Sequence, residues 1–132
     1  MIFVDTNVPM YVVGREHPCK VRAQRMLERA VTDHERLVTS AEVLQEIVHR
    51  YRAIGRRDAI QPAFDMLLGA VDEVFAINLS VVQRAKAIVL GYPSLSARDA
   101  IHVGTMQEHS MSRVMSFHAG FDTVPGLTRI SA

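Results

Sequence analysis

The chain has no tryptophan and a single cysteine, Cys19. One cysteine excludes an internal disulfide and a cysteine-rich zinc site. Cys19 reads as a small apolar residue near a helix start, with a reactive thiol as the alternative. Aromatic residues make up only 6% of the chain, which argues against a base-stacking platform of interleaved aromatics. No apolar run approaches the roughly 18 residues needed to cross a bilayer. The opening Met1-Ile2-Phe3-Val4-Asp5 has no charged segment of the signal-peptide type, so the expected location is the cytoplasm. Neither sign of charge is in excess: 15 basic and 14 acidic residues leave a net charge of +1. That is not the footprint of a strong non-specific nucleic-acid binder. There is no repeat, low-complexity tract or linker, and 132 residues make one domain, 1–132, with a sizeable core.

What is present is a soluble-type composition, 48% hydrophobic and 22% charged, with arginine supplying 13 of the 15 basic residues. Arginine suits bidentate phosphate and carboxylate contacts better than lysine does. Ile2-Phe3-Val4 reads as a β-strand ending at Asp5. Periodicity predicts a helix from about Pro18 to Val31, a strand at Leu37-Val38, and a helix from Thr39 to about Ile54. A helix over about Asp58–Leu68, a strand at Glu73–Ile77 and a helix capped by Ser80 and ending near Leu90 follow. Ser96 caps a further helix to about His109, and Arg113–Phe117 is a fourth strand. Strands alternating with helices predict a parallel central sheet of four to five short strands with helices on both faces. In such sheets, sites form beyond the carboxyl ends of the strands.

Four acids stand near predicted strand–helix junctions: Asp5, Glu46, Asp99 and Asp122. A lone carboxylate beside a buried segment is costly, and several together repel unless a cation lies between them. A hard divalent ion held by carboxylates and substrate phosphates is the usual solution. Each acid also has a structural reading. Asp5-Thr6-Asn7 fits a turn, with Asn7 capping a helix that contains Pro9. Thr39-Ser40-Ala41-Glu42 fits a capping box, which occupies Glu42 and leaves Glu46, one turn deeper, as the ligand candidate. Glu46 could instead pair with Arg50 on the helix surface. Ser96-Ala97-Arg98-Asp99 resembles a second capping box, and a first-turn acid favours the helix dipole. His102 shares the face of Asp99 and either ligates or packs. His49, Arg50, Arg52, Arg56 and Arg57 wrap one helix end, as a solvated terminus or as a clamp on an RNA backbone.

Taken together, Phe3-Val4-Asp5-Thr6-Asn7, Thr39 to Glu46, Ser96 to His102 and Met115 to Asp122 resemble the PIN-domain ribonucleases. More narrowly, they resemble the VapC-type toxins of VapBC toxin–antitoxin pairs. The resemblance covers essentially the whole chain. It implies an α/β domain that cuts single-stranded regions of RNA with Mg²⁺ or Mn²⁺, a VapB-like antitoxin that blocks the acidic pocket, and a homodimer. It carries the family's catalytic positions to Asp5, Glu46 and Asp99, and its hydroxyl-bearing positions to Thr6 and Ser116. Where the family usually has Asp, this chain has His118. Histidine suits Mn²⁺ better than Mg²⁺ and removes a negative charge, and Asp122 is expected to substitute in part.

The expected chemistry is hydrolysis of RNA phosphodiesters at one divalent ion held by Asp5, Glu46 and Asp99. Asp122 or His118 completes the shell, and Arg50, Arg52 and Arg56 hold the strand. The main alternative is a PIN-like module, weakened at His118, that binds RNA or a partner without cutting. A receiver-like phospho-acceptor domain is disfavoured, because neither Lys20 nor Lys86 lies near the last predicted strand. Tyr11, Val12, Val13, Leu90, Tyr92 and Leu95 are candidates for a dimer or antitoxin surface.

Overall fold

Short runs rich in β-branched and apolar residues build five strands: β1 (Ile2–Val4), β2 (Leu37–Ser40), β3 (Glu73–Phe75), β4 (Arg113–Met115) and β5 (Thr128–Ile130). The structure, a computed structural model, describes residues 1–131. All neighbouring strands pair in parallel, in the order β3-β2-β1-β4-β5. Every residue of β1 and β2 is buried, so both faces of the sheet centre are covered, as parallel sheets require. The edges differ: Glu73 and Val74 of β3 and Thr128 of β5 are exposed.

The cover consists of α1 (Asn7–Val13), α2 (Pro18–Thr32), α3 (Ala41–Ala53), α4 (Ile60–Ala70), α5 (Leu79–Gly91) and α6 (Ala97–Glu108), with short 3-10 turns at Arg57–Ala59 and Ala119–Thr123. Phe3, Val4, Val38, Val114 and Met115 from the strands join Ile47, Leu67, Val103 and Met106 from the helices in one core. Burying each large side chain contributes roughly 1.5–3 kcal/mol. No helix among the described residues is long and apolar enough to cross a membrane.

Local chemistry sets the helix starts, and it corrects three expectations. Thr39 does not cap α3. It belongs to β2, and its hydroxyl donates to the Val4 carbonyl (2.9 Å). Ser40 is the cap, accepting from the Val43 N–H. Helix α5 is capped by Asn78 rather than Ser80, whose hydroxyl donates to Glu108. Leu95 is buried in the core, so it belongs to no partner surface, and Tyr11, Val12, Val13 and Tyr92 pack partly against the core. Leu90 remains 79% exposed. Ser96 caps α6 as its sequence suggests.

Strands β1, β2 and β3 step outward in one direction and β4 and β5 in the other, so the order reverses between β1 and β4. A crevice opens at that switch point, beyond the carboxyl ends of the strands. Receiver-type sheets run 2-1-3-4-5, so this order excludes the receiver reading.

Candidate active site

Asp5 emerges from β1 at the switch point. Its backbone N–H extends the pairing to β4 by donating to the Met115 carbonyl (3.0 Å). Its carboxylate is fixed on both oxygens. Oδ1 accepts from the Thr6 N–H (2.7 Å), and Oδ2 accepts from the Ser116 hydroxyl (2.6 Å) and from Asn7 Nδ2 (3.3 Å). Ser116, the first residue beyond β4, is fully buried. Its Oγ also accepts from Asn7 Nδ2 and from the His118 N–H.

Glu46 reaches the same place from the second turn of α3, and its Oε2 accepts from the Thr6 hydroxyl (2.9 Å). Asp99 comes from the first turn of α6, where Ser96 Oγ accepts from its N–H (3.1 Å). One turn further on, His102 is entirely buried. Its Nε2 lies 2.8 Å from Glu46 Oε1 and 3.6 Å from Asp5 Oδ1. Glu46 Oε1 and both ring nitrogens of His102 are without hydrogen-bond partners, so the contact becomes an ion pair when the imidazole is protonated. His118 Nδ1 stands 2.5 Å from Asp99 Oδ2, on a half-exposed side chain at the pocket mouth.

The charges act strongly on one another. Burial, and next the charge of Asp5, raise the Asp99 carboxyl above its ordinary range. Burial pushes Glu46 upward too, but the adjacent His102 ring and the Thr6 hydroxyl outweigh it and the net shift is downward. Burial opposes protonation of His102, yet Glu46, Asp5 and Asp99 overcome it and the imidazole is held above its usual value. Glu42 is raised by burial and by the charge of Glu46.

Oxygens of Asp5 and Glu46 and a ring nitrogen of His102 all lie within 4.8 Å of one another. Glu46 Oε1 and Asp99 Oδ2 are buried without hydrogen bonds. Carboxylates aimed inward at that spacing suit a divalent cation, which takes oxygen ligands at about 2.0–2.6 Å. The donor set therefore fits a metal ion.

Asp5, Thr6, Glu46, Arg50, Asp99 and His118 line one pocket of about 390 Å³ together with Asn7, Tyr11 and Phe117. The other expected residues lie elsewhere. Asp122 does not join the acids. It is exposed and held in a two-pronged ion pair by Arg129 of β5, Nε and Nη2 each 2.9 Å from a carboxylate oxygen, so its charge is already committed. Arg52 is absent from the pocket lining because two residues turn a helix by about 200°, away from the face shared by Glu46 and Arg50. Arg56 also lies outside it and is engaged by Asp58 (3.1 Å). Two site residues escaped sequence reasoning. Asn7, read as a cap, instead ties Asp5 to Ser116 and accepts from the Phe117 N–H. Arg98, read only as part of a cap sequence, adds a minor downward pull on Glu46 and on Glu42, the latter still raised overall by burial.

Comparison with known proteins agrees with this geometry. The PIN domain family matches residues 2–127. The ribonuclease VapC13 of Mycobacterium tuberculosis is 56% identical over 131 residues, covering 99% of this chain and 100% of that protein. Among solved structures, VapC20 of Mycobacterium tuberculosis, described as a sarcin–ricin-loop-cleaving toxin, superposes with a TM-score of 0.83 at 18% identity, covering 100% of both chains. VapBC2 of Rickettsia felis, solved bound to a promoter DNA fragment, gives a TM-score of 0.75 at 15% identity over 98% of both chains. This chain belongs to the PIN-domain family and, within it, to the VapC ribonucleases.

Proposed function

We propose that this protein is a divalent-metal-dependent endoribonuclease, the toxin of a VapBC-type toxin–antitoxin pair. The observation that carries the reading is that Asp5, Glu46 and Asp99, from three separate elements, line one crevice, with Glu46 Oε1 and Asp99 Oδ2 buried without hydrogen bonds and faced by the His102 and His118 rings. Asp5, Glu46 and Asp99 would hold the ion, Mg²⁺ or Mn²⁺, with His118 and His102 beside it. When bound, the ion lowers the pKa of water for attack and offsets charge on the phosphate.

The remaining work falls to the chain's own residues. The Thr6 hydroxyl holds Glu46, and Ser116 with Asn7 holds Asp5, so neither carboxylate must reorganise when substrate arrives. Such supports typically matter 10–100-fold, to an order of magnitude. Arg50, on the pocket lining and exposed, takes the RNA backbone. A reading as a non-cutting module is not favoured, because Asp5, Glu46 and Asp99 line one pocket and relatives that match across the chain are ribonucleases. A VapB-like antitoxin is the partner by kinship, as solved relatives are toxin–antitoxin complexes. Self-association is also part of the proposal, and light scattering tests it.

The test is incubation of a structured RNA pool with the purified protein in EDTA, Mg²⁺ or Mn²⁺. Cuts that need metal and vanish in EDTA are expected. Intact RNA under every metal contradicts the reading.

A further inference from the structure

The acidic pocket continues into a second, larger groove that the hydrolytic site does not use. Its volume is about 460 Å³, and its walls include Met10, Tyr11, His17, Tyr51 and Ile54. Asn7, Tyr11 and Arg50 line both spaces, so a strand leaving the acids enters this groove directly.

Two observations set its chemistry. First, three of the chain's eight aromatics lie along this path: Tyr11 and Tyr51 on the groove and Phe117 on the acidic pocket. The Tyr11 ring stacks on His17, with centroids 4.8 Å apart and planes at 29°. Phe117, on the acidic-pocket lining, makes a T-shaped contact with Tyr11 at 5.2 Å. Second, the groove carries cations. Arg15, Arg50 and Arg56 stand on its lining. Arg56 is paired with Asp58, and Arg15 lowers the same carboxyl through its charge, while Arg50 is exposed at the junction with the acidic pocket. The acid on that lining, Glu16, faces Lys20 (4.0 Å). Apolar and aromatic walls rimmed by guanidiniums suit an unstacked base flanked by phosphates, which is how RNA is read in single strands.

We infer that this groove is a nucleotide subsite: it takes an unpaired RNA base adjacent to the cut bond against Tyr11 and His17, with Arg15 and Arg50 on the neighbouring phosphates. The assignment rests on the RNA-cleaving reading above. It names a specificity element separate from the metal-holding carboxylates.

The test measures binding apart from cleavage. A random-sequence single-stranded RNA 10-mer carrying a central 2-aminopurine is titrated in EDTA, where stacking quenches the fluorophore. The wild-type protein is expected to bind and quench. Tyr11→Leu should weaken binding about tenfold and abolish quenching, since one base stack is worth that order. Tyr11→Phe should retain both. Replacing the central nucleotide with an abasic one should cost the wild type the same factor and make Tyr11→Leu harmless. His17→Asn keeps an acceptor for the Cys19 N–H while removing the ring. It serves where Tyr11→Leu fails to fold, with the same weakening expected. Equal binding and quenching by wild type and Tyr11→Leu, or no binding by wild type, overturns the subsite and leaves the groove to a protein partner. Cleavage by the wild type alongside that result keeps the nuclease reading. Base-dependent binding without cleavage in any metal keeps the subsite and removes the nuclease reading.

Discussion

His118→Asp places a carboxylate at the pocket mouth beside Asp99, and the geometry gives the variant two effects of opposite sign. In the metal-free protein the change removes the His118 Nδ1 contact with Asp99 Oδ2 at 2.5 Å. It also adds a carboxylate near Asp99, whose own carboxyl is already raised by burial and by Asp5. Two unit charges about 4 Å apart repel appreciably at the effective dielectric near a protein surface. The site at 118 is 50% exposed, so screening reduces the effect to about 1 kcal/mol. With the lost contact, the metal-free variant should be about 1–2 kcal/mol less stable. For a chain of this size that lowers Tm by roughly 3–8 °C. With Mg²⁺ a second effect offsets the first. A further carboxylate that tightens the ion about tenfold adds about 1.4 kcal/mol of ligand-linked stabilisation at saturation. The assay is thermal unfolding of both proteins at pH 7.5 in EDTA and in millimolar Mg²⁺. A variant as stable as wild type in EDTA, or one with no larger Mg²⁺ increment, refutes the reasoning about this position.

Other expectations follow from the same geometry. Ser116→Ala removes the hydroxyl that holds Asp5 Oδ2 at 2.6 Å and should lower cleavage about 10–100-fold, and stability by about 1–3 kcal/mol because Asn7 Nδ2 and the His118 N–H lose the same acceptor; unchanged rates contradict it. Gly104→Ala puts a Cβ 2.9 Å from the Val81 carbonyl oxygen where α5 and α6 meet. It should cost about 1–3 kcal/mol in urea unfolding, and wild-type stability would show that the helices can part freely. Glu35 is held below the usual carboxylate range by the two-pronged hydrogen bond from Arg113. A depressed folded pKa contributes stability above the unfolded value that is lost as pH falls through the folded one. Glu35→Gln should therefore be less stable than wild type at neutral pH, and the gap should close below about pH 4.5. A gap that persists at pH 2 contradicts the linkage.

The parts of the fold that were legible in the sequence are those decided locally. Ile2–Val4 is a short apolar run stopped by an acid, and Ser96 precedes a helical period, so β1 and the start of α6 could be placed. Asp5 was legible at a strand end and Asp99 in a helix first turn, and Glu46 stood out as the acid one turn deeper than the α3 cap. The α3 cap was misplaced by one residue because Thr39 and Ser40 are both good caps. The Thr39 hydroxyl is taken by the Val4 carbonyl of β1, which leaves Ser40 as the cap, and that contact is non-local. β5 escaped placement for the same reason: Thr128–Ile130 is short, follows a Pro-Gly turn, and exists only by pairing with β4. Asp122 looked free until Arg129 was brought beside it. His102 carried a readable signal, three residues after Asp99 on one face. Its burial between Glu46 and Asp5 needed α3 and β1 in place.

The central claim is that three carboxylates from separate elements form one metal-dependent phosphodiester-cleaving centre. It is tested most directly by comparing Asp5→Asn, Glu46→Gln and Asp99→Asn with wild type for both RNA cleavage in Mn²⁺ and RNA binding in EDTA. The account predicts that each variant loses cleavage by about 10³-fold or more, in line with removal of a principal electrostatic element, while still binding RNA. Full cleavage by any one of the three variants would contradict it.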